Sequence, residues 1–285
     1  MRYDEAGSFD ETLAKYSNAL EKLVSFGIRI SDSSRLRGYQ RRLETVLKQP
    51  GDLLKMSVAS MYKILFDFRE MDELIFIIDS FTNEPASTEL ERLRLLPRGT
   101  ENPDAESSAK ARDAQFELFL RAMFVQANIG IEMGSPDLRV SEGQVTFPIE
   151  AKRPGSSRRF DDLLRKAINQ LQRQGSYGIV AISLDHVIRP SGGYLVVRDH
   201  NYLALAAEEL VSNYIGANLR RIARRIRGKS KVSALLFIFR TPGCVSDTNL
   251  ILLGSNINIV PVSEPSHPGY EVVQALLKMR AGLRI

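Results

Sequence analysis

Pro136-Asp137-Leu138-Arg139-Val140-Ser141-Glu142-Gly143-Gln144-Val145-Thr146-Phe147-Pro148-Ile149-Glu150-Ala151-Lys152 is the stretch that decides the fold. Two β-type runs, Asp137–Val140 and Val145–Ala151, flank a four-residue loop containing glycine. That pattern predicts an antiparallel hairpin. In the second run Val145, Phe147, Ile149 and Ala151 fall on one face, and Thr146, Pro148, Glu150 and Lys152 on the other. Pro148 lacks a ladder donor, which favours an edge or a bulge at that point. Glu150 and Lys152 point the same way, one pleat apart. Asp137 starts the partner strand, so hairpin geometry brings it beside Glu150. Two carboxylates and one ammonium are expected to converge.

On the N-terminal side, 107–127 reads as a strong helix and Gly130–Met133 as a short strand. On the C-terminal side, 160–174 and 203–226 fit helices, and 270–280 a final one. Ile179–Leu184 and Leu235–Phe239 are nearly continuous apolar runs, the mark of strands buried on both faces. Tyr194–Val197, Leu250–Leu253 and Ile257–Val262 add shorter strands. The fold class is therefore α/β (α+β), with a mixed central sheet flanked by helices. Before it, apolar residues at helical spacing (Leu13, Tyr16, Leu20, Leu23), the apolar stretch 53–80 and a short helix at 87–93 predict an all-helical N-terminal region. Pro97–Asp104 is rich in turn formers and sets an expected boundary near residue 105, with one domain over 1–105 and another over 106–285.

The balance of residues narrows the class. With 44% hydrophobic and 26% charged residues in 285, the chain has a soluble globular profile, and no apolar run is long enough to span a bilayer. The polar, acidic start is unlike a secretory signal, and the single cysteine, Cys244, rules out a disulfide within the chain; a cytoplasmic location is expected. One cysteine and three scattered histidines make a poor zinc set, and His186, His200 and His267 receive no role. Residues 1–105 carry 15 basic and 18 acidic side chains; residues 106–285 carry 24 and 16. The basic C-terminal part suits a polyanionic partner, nucleic acid first, although an ordinary basic surface has the same charge.

Carboxylates at one spot beside an ammonium suit metal-assisted phosphodiester hydrolysis. Mg²⁺ takes hard oxygen ligands, commonly one or two carboxylates completed by water and phosphate. Asp137 and Glu150 would supply the carboxylates, the backbone carbonyl of Ala151 a further ligand, and Mn²⁺ is the natural substitute. Lys152 would orient the attacking hydroxide or stabilise developing negative charge. The plainer alternative is a strand-end aspartate and a surface ion pair between Glu150 and Lys152.

Pro136-Asp137 followed by Glu150-Ala151-Lys152 resembles the signature of the PD-(D/E)XK nuclease superfamily, over roughly residues 106–240. The resemblance implies a restriction-endonuclease-like fold, Mg²⁺ bound by the aspartate and glutamate, and DNA as substrate, with RNA open. It also implies a glutamate on the preceding helix, matched by Glu117, and a glutamine on the following one, matched by Gln170 and less well by Gln174. Glu117 alternatively pairs with Arg121 at i+4. The phrase Glu150-Ala151-Lys152-Arg153-Pro154 is similar to those of bacterial restriction and anti-phage defence nucleases.

Arg153, Arg158 and Arg159 follow the hairpin and are expected to reach the same nucleic-acid backbone. The run from Arg220 to Lys231 is the densest basic stretch, with Ile215, Leu219, Ile222 and Ile226 as its apolar stripe; Arg220, Arg221, Arg224 and Arg225 then face phosphates, or merely solvent. A membrane-surface role fits less well, since no bulky aromatics accompany the run. The N-terminal helices would serve regulation, recognition or homo-oligomer formation. The reading from another class is the same fold kept as a catalytically inactive nucleic-acid- or protein-binding module.

Overall fold

The computed structural model describes residues 9–48, 57–101, 109–134, 137–190, 193–245 and 251–283. The hairpin expected from the sequence forms the head of a seven-stranded mixed sheet. Strands β1 (Gly130–Met133), β2 (Leu138–Glu142) and β3 (Val145–Lys152) run antiparallel. Helix α6 (Ser157–Gln174) then carries the chain over to β4 (Gly178–Ser183), which lies parallel to β3. The long strand β6 (Val232–Val245) pairs parallel with β4 along its first half and with β5 (Leu195–Val197) at its end. Its other edge is taken by antiparallel β7 (Ile251–Pro261).

Period-2 alternation divides the sheet residues between two cores. Phe147, Ile149, Ile179, Ala181, Leu236 and Ile238 face one helical layer. Val180, Ile182, Leu235 and Phe237 face the other, built from α6 and α7 (His200–Ile226). Helix α6 buries Phe160, Leu164, Ala167, Ile168 and Leu171, the i, i+4, i+7 pattern of one stripe, and Gly175 at φ +74° closes it in a left-handed cap. Asp199 accepts from the amides of Asn201 and Tyr202, so α7 begins three residues before the apolar pattern implied.

The first layer contains α5 (Lys110–Gln126), buried nearly all round, together with α8 (Tyr270–Gly282) and α1 (Phe9–Ser25), α2 (Arg35–Lys48), α3 (Val58–Asp79) and α4 (Ser87–Leu93). The expected boundary near residue 105 lies outside the described residues. On either side of it the helices share one continuous buried cluster, from Tyr16 and Leu20 through Leu74 to Phe116, Phe147 and Leu276. A second bond between the parts is ionic. Glu70 of α3, wholly buried, accepts from Arg35 (3.4 Å), Arg69 (3.2 Å), Arg112 (2.8 Å) and Arg153 (3.3 Å). Glu73, one turn on, accepts from Arg153 and Arg240. Helix α3 is thereby tied to α5, to the residue that follows β3 and to the middle of β6.

Four details depart from the sequence expectation. The hairpin loop has two residues, not four: Glu142 and Val145 are paired, and Gly143 at φ +60° takes the first turn position, which favours glycine in a type II′ turn. Pro148 makes no bulge; it sits in register opposite Arg139, and the pairing of β3 with β4 begins one residue later at Ile149. The two strands expected over 250–262 are one, since Gly254, Ser255 and Asn256 stay in the ladder with β6; Leu250 is outside the described residues. Helix α2 was not anticipated.

Candidate active site

The site forms where the hairpin opens. Extending the register one step beyond Leu138 opposite Ile149 sets Asp137 opposite Glu150, and directly opposed residues share a face. The Lys152 ammonium lies 3.1 Å from Asp137 Oδ2 and 3.1 Å from Glu150 Oε2. The two carboxylate oxygens are therefore at most about 6 Å apart. The Ala151 amide donates to Asp137 Oδ2 at 2.9 Å. A strand residue turns its N–H and C=O to the same side, so the Ala151 carbonyl also faces the aspartate. The Glu150–Lys152 pair is no surface ion pair, because Glu150 is only 2% exposed.

Burial, and then the charge of Asp137, raise the Glu150 pKa against the opposing pull of Lys152 and Gln174. Burial lowers the Lys152 pKa, but Asp137 and Glu150 outweigh it and carry it above its ordinary value. Lys152 is thus a proton-bearing cation between two carboxylates, at a position for which a divalent cation would compete. The donor set, two carboxylates and a carbonyl, has the hardness Mg²⁺ prefers. Among the described residues no group of three or more His, Cys, Asp and Glu side chains is arranged to hold a metal, so water and substrate oxygens would have to complete the shell.

The glutamine at the site is Gln174, whose Nε2 donates to Glu150 Oε1 at 2.9 Å. Gln170, the residue favoured from the sequence, is exposed four positions earlier, one helical turn away from the carboxylate. Glu117 lies within electrostatic reach of Asp137 but is bound to neither Lys152 nor Arg121. It accepts from Arg92 Nε of α4 at 2.5 Å, and Arg121 pairs instead with Glu89. Burial and then Asp137 push the Glu117 pKa up to about 7, with Arg92 opposing. Arg92 was missed in the sequence. It stands 25 residues before its partner in a different helix, and nothing local marks it.

Arg153 does not reach a nucleic-acid backbone. Its side chain is buried and bonded to Glu70, Glu73 and Asp185. Arg153 directly follows Lys152, the last residue of β3, and the two side chains go to different partners, Lys152 to the site carboxylates and Arg153 to Glu70, Glu73 and Asp185. The other expected arginines remain on the surface. Arg158, Arg159, Arg220 and Arg224 are exposed, while Arg221 and Arg225 pair with Asp161 of α6. Asp161 precedes Gln174 by 13 residues of one helix, about 20 Å, so this basic group and the carboxylates sit towards opposite ends of α6. Of the apolar stripe expected on α7, Ile222 is buried and Ile215 and Ile226 pack against the same core, whereas Leu219 is 53% exposed; Leu203, Ala207 and Val211 extend the buried row. No helix among the described residues is long and apolar enough to cross a membrane. Comparison with protein-family models, with characterised proteins and with solved structures finds no match to this chain.

Proposed function

We propose that this protein is a Mg²⁺-dependent nuclease that hydrolyses phosphodiester bonds of DNA, on a restriction-endonuclease-like sheet of the PD-(D/E)XK kind. The observation that carries the reading is the Lys152 ammonium, 3.1 Å from both Asp137 and Glu150 at the open end of the hairpin. The path of the chain supports it: a helix, three antiparallel strands, a crossover helix and a parallel strand, with one carboxylate immediately before the second strand and the other on the third. Mg²⁺, or Mn²⁺ in its place, would lower the pKa of a bound water and neutralise charge on the scissile phosphate.

The chain's own residues divide the remaining work. Asp137, fixed by the Ala151 amide, and Glu150, fixed by Gln174, present oriented oxygens. Lys152 donates to the phosphoryl oxygen as negative charge builds there. The exposed arginines of α6 and α7 hold the flanking backbone about 20 Å along, roughly six nucleotide steps of one strand. Such a protein suits a cytoplasmic restriction or anti-phage role.

The test is cleavage of plasmid DNA by the purified full chain with Mg²⁺, with and without EDTA, and of RNA in parallel. Asp137→Ala, Glu150→Ala and Lys152→Ala are each expected to lower the rate by about 10²-fold or more. Variants that cut as fast as the wild type would dismiss the site.

A further inference from the structure

We infer that Arg92 is a phosphate-binding residue of this site, supplied by the N-terminal helices, and that Glu117 positions Arg92 instead of ligating metal. The inference rests on the nuclease reading for the site that Arg92 completes.

Three observations carry it. The first is anchoring. Leu93 of α4 is fully buried, and Glu89 both caps the helix start at the Ala86 amide and pairs with Arg121 of α5. Arg92 therefore stands on a helix fixed to α5, the helix that bears Glu117. The second is the division of the guanidinium. Its Nε donates to Glu117 Oε2 at 2.5 Å, whereas Nη1 and Nη2 donate to no group among the described residues. The side chain is 29% exposed, against 12% for Glu117. The inner edge is held and the outer edge, two parallel N–H donors, is open; that fork matches phosphate geometry. The third is charge. Asp137 acts on both Arg92 and Glu117, so the pair belongs to the field of the site. With all three carboxylates ionised, above the raised Glu117 pKa of about 7, Lys152 and Arg92 leave one net negative charge. A divalent cation makes it one net positive charge, which a single phosphodiester neutralises; without Arg92 that attraction disappears.

Glu117 is poorly placed as a metal ligand for the same reasons. One of its oxygens is taken by Arg92, and the carboxylates that meet around Lys152 are Asp137 and Glu150. Its use is to hold the inner edge of the guanidinium in a fixed direction, which limits the rotamer freedom lost when phosphate arrives.

The experiment measures binding apart from cleavage. A labelled 20-base-pair DNA duplex is titrated with the full chain in Ca²⁺ and again in EDTA, across a salt series, and Mn²⁺ binding is measured by calorimetry. Arg92→Ala is expected to weaken DNA binding about tenfold and to reduce the slope of log affinity against log salt by about 0.9, with Mn²⁺ affinity undiminished. Arg92→Lys should restore the slope but only part of the affinity. Glu117→Gln should bind Mn²⁺ like wild type, whereas Asp137→Ala should lose it more than tenfold. An unchanged salt slope in Arg92→Ala overturns the assignment of Arg92. Loss of Mn²⁺ in Glu117→Gln to the extent seen in Asp137→Ala overturns that of Glu117. If the wild type binds duplex through Arg92 but neither binds Mn²⁺ nor cleaves, the nuclease reading fails and the phosphate contact stands; if it binds no duplex, both fail.

Discussion

Glu70→Ala probes the junction between the N-terminal helices and the sheet. The carboxylate is 1% exposed and is shared by Arg35, Arg69, Arg112 and Arg153, with the Gln115 amide at 3.4 Å as a further donor. Removing it leaves four guanidinium groups near a cavity with fewer anions to compensate them. Breaking a buried ion pair by deleting one partner costs about 3–5 kcal/mol. For a chain of this size each kcal/mol moves Tm by about 2 °C, so calorimetry should record a fall of about 6–10 °C. Burial favours the neutral acid, but Arg112, Arg153, Arg69 and Arg35 outweigh it and hold the Glu70 pKa well below the ordinary carboxylate range. A depressed folded-state pKa gives stability that is present above the unfolded value and lost as pH falls through the folded one. The penalty for Glu70→Ala should therefore be undiminished at pH 5 relative to pH 7. Because Arg153 follows Lys152, a lower cleavage rate is expected as well. A Tm within about 2 °C of wild type would refute the claim that this carboxylate holds the arginines in place.

Further outcomes follow from the same geometry. Gln174→Ala frees Glu150 Oε1 and should slow cleavage about fivefold, the worth of one hydrogen bond of ~1 kcal/mol, while Gln170→Ala leaves the rate unchanged. Arg153→Ala should lower Tm by several degrees without altering the salt dependence of DNA binding, since its side chain is committed to Glu70, Glu73 and Asp185; Arg220→Ala with Arg224→Ala should do the reverse. Burial and Asp137 raise the Glu117 pKa to about 7, so the folded state binds the extra proton between the unfolded value and that pH, and stability from this group falls as pH rises through the interval. Glu117→Gln removes the titration, and the Tm of wild type relative to this variant should decline from pH 5 to pH 8.

Most elements were legible because their signals are local. The period-2 pattern of Val145–Ala151 and the apolar runs at 179–184 and 235–239 need no knowledge of their neighbours. Helix α2 was written in the chain too, with Leu36, Tyr39, Leu43 and Val46 at helical spacing, but Gly38 and the density of arginines obscured it. The loop length failed by two residues because strand ends are set by cross-strand pairing, here Glu142 with Val145.

By itself the sequence determined the alternation that puts Glu150 and Lys152 on one face and the hairpin that returns Asp137 to them. Backbone periodicity is fixed by stereochemistry, so those directions could be read residue by residue. Tertiary structure decided what the long side chains touch. Lys152 and Arg153 are adjacent cations of similar reach, yet one lies between the site carboxylates and the other is sealed against Glu70. Gln170 and Gln174 differ by one turn, and only the latter meets Glu150. Arg92 joins Glu117 from a helix that the sequence alone assigned to another domain. An ionic partner is chosen by distance and burial in three dimensions, and neither quantity is carried by spacing along the chain.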